Sequence, residues 1–328
     1  MCAGWAAEQS GLIWALQAIS ELLSSKMLNP TRRCLACDAL DPIDPNDPIW
    51  PVGWKCPACG HVVAQEAGIP MFAPDLANTV SGFDPNVFDE LAEMEAGYFW
   101  FVTRGELIKG LATKFFPEAR RFLEVGCGTG AVLREFASMK QWQRLVGSEL
   151  HPAGLAHARK RLPVGPEFVQ LDARNIPAVG AFDLIGAFDV AEHIADDEAV
   201  FRAMRKATRE GGGAIIAVPQ HPWLWGPSDD IAHHERRYRL GELEEKLRRC
   251  GFEILFSSSF TTLLLPVMAL SRVANMVRKP REDIFHEFRL NPLVNRIFTT
   301  ISRIEVQMTL LGVRWPIGGS RLVVARAK

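Results

Sequence analysis

Between Arg121 and Ala325 the chain repeats one rhythm, a short apolar run followed by a stretch with apolar residues every three or four positions. The runs are Arg121–Val125, Leu145–Glu149, Glu167–Leu171, Asp183–Phe188 and Ala214–Val218, with Phe252–Phe256 and Leu322–Ala325 after them. Short continuous runs of branched and aromatic residues suit strands buried on both faces. Helical spacing between them predicts a parallel sheet covered by helices.

The pattern changes on either side of this block. Leu12, Leu16, Ile19 and Leu23 recur at helical spacing near the start, which fits either a docking helix or an optional extension, with Met27 as an alternative start. Residues 31–73 mix Pro, Asp, Gly and Cys without a helical period and read as a loop-and-strand module. Residues 84–114 turn helical and carry the cluster Tyr98, Phe99, Trp100, Phe101, then Arg104. Residues 260–319 form a long helical insert before the last strand. Asn291 before Pro292 marks a helix start and Gly312 a stop. Between them Val294, Ile297, Ile301, Ile304, Met308 and Leu311 form an apolar seam, expected to pack on the chain's own domain, with a dimer contact or a lipid-facing cap as the alternatives. The divisions expected are 1–30 extension, 31–75 cysteine module, 76–115 helical lid, 116–258 main domain, 259–319 helical cap and 320–328 final strand.

Composition narrows the class. Of 328 residues, 48% are hydrophobic and 23% charged, the balance of a globular protein. The 37 basic and 38 acidic residues nearly cancel, which argues against a polyanionic partner such as nucleic acid. No apolar run is long enough to span a bilayer, and the first residues lack the basic start of a secretory signal. A cytoplasmic setting is expected, in which closely paired cysteines hold metal rather than form disulfides.

Cys34-Leu-Ala-Cys37 and Cys56-Pro-Ala-Cys59 are two such pairs, 18 residues apart, and Gly60 allows the tight turn after the second. Each C-x-x-C knuckle can set two thiolates on one ion, so four cysteines complete a tetrahedral zinc site with no open position. One structural zinc per chain is expected, with His61 a surface residue.

The first strand of the main block leads into Glu124-Val-Gly126-Cys-Gly128-Thr-Gly130. Glycines at a strand end let the backbone turn and approach a ligand, and G-x-G-x-G spacing leans away from a dinucleotide. The second strand ends at Glu149, where a carboxylate can take both ribose hydroxyls of a nucleoside. The third ends at Asp172, placed to accept from an adenine amino group. Three strand ends in succession define one crevice.

On these motifs residues 120–258 resemble class I S-adenosylmethionine-dependent methyltransferases. E-V-G-C-G-T-G, G-S-E-L-H-P, Q-L-D-A-R-N-I-P, F-D-L-I-G-A-F-D-V-A-E-H-I and R-E-G-G-G-A-I-I-A-V-P follow in that family's order. The resemblance implies a Rossmann-like seven-stranded α/β sheet, its last strand antiparallel and inserted between the fifth and sixth. It also implies roles toward S-adenosylmethionine: Glu124, Gly126, Gly128 and Gly130 on the methionine part, Glu149 and Leu150 on the ribose, Asp172 and Ala173 on the adenine. Phe188 and Asp189 would border the sulfonium. More narrowly, the chain is similar to the ubiquinone-biosynthesis O-methyltransferase-like branch, in which a lid arginine meets the cofactor carboxylate; Arg104 in Y-F-W-F-V-T-R fits that place. Tyr98 stands where related chains often have histidine, so no imidazole role carries over.

After the fifth strand come His221, Trp223 and Trp225, then Asp229, His233, His234, Arg236, Arg237 and Tyr238. His221 or His234 is the expected base, with Asp229 to orient an imidazole; the alternative makes H-x-R-R-Y a structural anchor. Glu192-His193 is read as a helix cap, with a pair of metal ligands as the alternative. The expected enzyme methylates a hydroxyl, or else a carboxylate or carbon, of a small or lipid-like molecule, with peripheral membrane contact and a homodimer left open. The alternative is an rRNA or tRNA methyltransferase gripping its substrate through residues 31–75, read as an N-terminal zinc ribbon. Ala187-Phe188-Asp189-Val190 in place of N-P-P-[YF], and a ribbon that is not basic, oppose it. A non-catalytic cofactor-binding subunit is the third class.

Overall fold

The computed structural model describes residues 30–77, 87–95, 97–277 and 290–328. The helix expected through Leu12, Leu16, Ile19 and Leu23 lies outside them. Strands β1 (Thr31–Arg33) and β2 (Leu40–Pro42) flank the first cysteine pair, and β3 (Ala64–Glu66) and β4 (Ile69–Met71) form a hairpin after the second. Helices α1 (Val87–Glu95) and α2 (Phe99–Phe115) come next. Then follow β5 (Arg121–Val125), α3 (Ala131–Ala137), β6 (Arg144–Glu149), α4 (Pro152–Arg161), β7 (Glu167–Gln170), the short β8 (Ala178–Val179) and β9 (Phe182–Phe188). The remainder is α5 (Asp197–Ala207), β10 (Thr208–Pro219), α6 (Pro227–Ile231), α7 (Glu242–Arg249), β11 (Phe252–Phe260), α8 (Leu265–Val277), α9 (Pro292–Leu310) and β12 (Ser320–Ala327).

Seven of these strands lie in the order β11-β12-β10-β9-β5-β6-β7, with β12 antiparallel to both neighbours, the arrangement the resemblance implies. Successive residues of the central strands enter different cores. Phe122, Leu184, Ile215 and Val324 join one, with Leu107, Leu111, Leu133 and Phe136 of α2 and α3. Leu123, Ile185, Ile216 and Val323 join the other, with Phe201, Met204 and Leu247 of α5 and α7. Both faces are therefore dry, which is why these strands read as continuous apolar runs.

The cysteine module is built into this sheet. β4 pairs in parallel with β7 (Met71 opposite Gln170), β3 adds outside it to make nine strands, and β1 pairs with β8. Phe72 N–H donates to Gln170 O at 2.8 Å, and the Gln170 side chain bonds Ala73 N and O. Trp50 packs against Phe182 and donates through Nε1 to Pro177 O at 3.0 Å.

The cap insert follows the expected boundaries but not the expected orientation. Asn291 caps α9 by accepting from Leu293 N, and Gly312 takes φ +111° just past its end. The seam predicted to be buried faces outward, Ile304 being 52% and Leu311 86% exposed. Three of the four buried residues of α9, Ser302, Glu305 and Thr309, are polar, and Val306 is the fourth. Glu305 accepts from the backbone N–H groups of Thr262 and Leu263, both at 3.0 Å, before α8 begins. Asn295 accepts from Phe99 N at the start of α2 and donates to Gly97 O. Trp315 Nε1 donates to Thr309 Oγ1. Backbone groups near helix starts must find partners when buried, and α9 supplies them through Asn295 and Glu305, so these two side chains point inward.

Candidate active site

The carboxyl ends of β5, β6, β7 and β9 open into a cavity of about 880 Å³, the usual position for a ligand in an open α/β sheet. β5 runs into Gly126, where φ is +66° and an added Cβ would stand 2.4 Å from Val190 Cγ2. Only glycine fits there, which leaves bare backbone against the cavity. Gly128 also lines it, and Gly130 sits behind as the N-cap of α3. Glu149 accepts from Leu150 N at 2.7 Å and from His151 N and Gly128 N at 3.1 Å, tying the end of β6 to the glycine turn. Asp172 faces the cavity past β7, held by Arg174 Nε at 3.0 Å from each oxygen. Leu150, Ala173 and Phe188 complete this end of the wall.

Arg104 reaches the same cavity from α2. Its guanidinium lies 4.3 Å from the Trp100 ring centroid and forms an ion pair with Asp189. Asp189 sits at φ +57°, a conformation that non-glycine residues rarely adopt, which turns its carboxylate toward the arginine. Burial pushes Arg104 down to about 10, although Glu95, Glu124 and Glu192 all favour its charge. Burial drives the Glu124 carboxyl well above the ordinary carboxylate range, against the pull of Arg104. Glu124 Oε2 and Arg104 Nε have no hydrogen-bond partner within the protein. A buried acceptor and a buried cation side by side, both incompletely satisfied, match a ligand that carries an ammonium and a carboxylate.

The opposite wall comes from the loop after β10. His234 Nδ1 lies 2.8 Å from Asp229 Oδ1, and Arg237 Nε donates to the same oxygen at 2.8 Å. Asp229 Oδ2 accepts from Gly226 N. Burial alone would raise the Asp229 carboxyl, but the bond to His234 and the Arg237 charge hold it below its ordinary value. His234 and Asp229 line the cavity; His221 does not join them. It takes φ +64° and stacks on Trp223, with Nε2 buried and without a hydrogen bond. The rest of H-x-R-R-Y is an anchor: Tyr238 is fully buried and donates to Asp197 at 2.6 Å, and Arg236 pairs with Asp197 at 3.2 Å.

Glu192 departs from the helix cap expected of it. It lies in a short turn, Ala191–His193, completely buried, with neither carboxylate oxygen hydrogen-bonded. It therefore caps nothing; the cap of α5 is Asp196, which accepts from Ala199 N. Burial pushes Glu192 up to about 8 against the attraction of Arg104 and Arg237, and pushes the neighbouring His193 down to about 4. Glu192, His193 and His234 each offer one ligand atom within 4.8 Å of the others. The signal available in the sequence was a carboxylate and a histidine directly after the fourth strand.

Cys34, Cys37, Cys56 and Cys59 also converge within 4.8 Å, away from the cavity, with Sγ–Sγ distances of 3.7 Å for Cys34–Cys59 and Cys37–Cys56. A tetrahedron with metal–sulfur bonds of about 2.3 Å has edges of about 3.8 Å, so the donor set fits one zinc ion.

Residues 122–212 match the model of a methyltransferase domain. The chain is 30% identical over 175 residues to dTDP-4-amino-2,3,4,6-tetradeoxy-D-glucose N,N-dimethyltransferase of Saccharopolyspora spinosa, an alignment covering 49% of this chain and 67% of that one. It is 31% identical over 111 residues to trans-aconitate 2-methyltransferase of an Acidovorax species, covering 34% of this chain and 43% of the relative. Among solved structures, the complex of the Haloferax volcanii Trm112 methyltransferase activator with a methyltransferase matches at a TM-score of 0.51 and 19% identity, over 76% of this chain and 99% of that chain. That last likeness is one of fold.

Proposed function

Because the chain belongs to the class I S-adenosylmethionine-dependent methyltransferases, we propose that its cavity transfers a methyl group to a hydroxyl, or else a carboxylate or carbon, of a small or lipid-like molecule. Glu149 and Leu150 hold the ribose, Asp172 and Ala173 the adenine, and Glu124, Arg104 and the turn at Gly126 and Gly128 the amino-acid end. Bound there, the cofactor supplies a sulfonium methyl that needs no further activation. The protein's part is alignment, exclusion of water and, for an acceptor that keeps its proton, a base.

His234 is the base in this reading. Asp229 engages Nδ1, which fixes the tautomer and leaves Nε2 to take a proton. Glu192, held largely neutral by burial, donates a hydrogen bond to the acceptor's polar atom. The observation that carries the choice of acceptor is the sharing of one cavity by the Asp229–His234 pair and the apolar side chains Leu264, Val267, Met268, Leu290 and Phe298. The narrower ubiquinone-biosynthesis-like reading is supported by Arg104, which faces the cavity from the aromatic start of α2. The four cysteines hold one structural zinc, which has no part in the chemistry.

The test is transfer of a tritiated methyl from the cofactor to cell extract separated into lipid, small polar and RNA pools. Label in the lipid or the small polar pool is expected. Label confined to RNA would move the acceptor to the nucleic-acid class.

A further inference from the structure

Ten of the seventeen exposed large hydrophobic side chains among the described residues fall between 263 and 317, in and around the helical cap. Leu293, Ile297, Ile304, Met308 and Leu311 recur on one side of α9, opposite the buried Ser302, Glu305, Val306 and Thr309. They form an outward apolar stripe along a helix about 28 Å long. Arg296, Thr300, Arg303 and Gln307 follow one edge of it by helical spacing, and Arg314 lies just beyond the helix. No exposed position of α9 is acidic, since its one carboxylate, Glu305, is turned inside. Arg303 has a partner in Glu106, at 2.7 Å.

We propose that this face docks on an anionic lipid surface, with the stripe entering the headgroup boundary and the arginines meeting lipid phosphates. An apolar stripe edged by arginine is the arrangement of a helix that lies in the plane of a membrane interface. A second copy of the chain is the poorer complement, because it brings the same cationic edge and no α9 carboxylate to meet it. The cap is also continuous with the cavity: Val267 of α8 is 45% exposed and lines it, as do Leu290 before α9 and Phe298 within α9. The inference holds whatever the acceptor proves to be.

The experiment is co-sedimentation of the full chain with vesicles of phosphatidylcholine alone or mixed equally with phosphatidylglycerol. Binding to the mixed vesicles is expected, weakening as salt rises. It should fall about tenfold or more in Ile304→Glu/Leu311→Glu, and several-fold in Arg296→Gln/Arg314→Gln. Unchanged melting temperature and unchanged affinity for S-adenosylhomocysteine would certify that both variants are folded. Failure of the wild-type chain to bind mixed vesicles would overturn the proposal. So would binding that appears only after residues 1–29 are removed, which would give the face to that segment. A concentration-dependent dimer in ultracentrifugation, broken by Ile304→Glu/Leu311→Glu, would assign it to a second copy and equally overturn it.

Discussion

Glu192→Gln tests the electrostatics of the site without touching its shape. The carboxyl is completely buried, lacks a hydrogen-bond partner and is pushed from 4.5 to about 8. Below pH 4.5 it is protonated in folded and unfolded chains alike, and folding buries no charge there. Between 4.5 and about 8 the unfolded chain releases the proton while the folded chain keeps it, so stability is lost as pH rises. At about 1.4 kcal/mol per unit the ceiling is about 5 kcal/mol. Water entry at high pH should bring the observed loss to about 2–3 kcal/mol. The amide introduced by the substitution does not titrate. In urea unfolding of the unliganded protein, variant and wild type should have similar stability near pH 5 and diverge by about that amount near pH 9, the variant being the more stable. The variant should also keep most of its methyl transfer at neutral pH, since an amide donates a hydrogen bond as a neutral acid does. Parallel stability profiles, or loss of activity on neutralising this one group, would refute the assignment of a neutral Glu192.

His234→Ala and Asp229→Asn should each lower kcat/KM by about 10²–10⁴-fold while leaving calorimetric affinity for S-adenosylhomocysteine unchanged. An equal loss of cofactor affinity would make this loop part of the cofactor site instead. Metal analysis should find one zinc per chain. Cys37→Ser should lower the melting temperature by about 5 °C or more, the shift for a loss of about 2 kcal/mol in a domain of this size. Zinc-free protein that melts normally would remove the metal from the account.

The parts legible in the sequence were those governed by local chemistry. Strands buried on both faces appear as apolar runs, the turn at Gly126 admits only glycine, and the paired C-x-x-C knuckles mark four cysteines that converge. What stayed hidden depends on distant partners. The pairing of β4 with β7 joins three- and four-residue strands through one aligned residue pair, too little to leave a period. The seam of α9 was misplaced because apolar spacing marks a face without saying which way it points. Glu305, Asn295 and Thr309 turn inward to satisfy groups elsewhere in the chain. Likewise, His221 and His234 look equivalent in a loop, and only the backbone path brings one of them to Asp229.

Calorimetric binding of S-adenosylhomocysteine to the wild type and to Glu149→Ala reads the position of the cofactor, proposed to lie across the ends of β5, β6, β7 and β9 with its ribose on Glu149. The wild type should bind at one site per chain. The variant should bind about 1–3 kcal/mol more weakly, the usual loss for a hydrogen bond to a charged group. Equal affinity in the two proteins would place the ribose elsewhere and contradict the account.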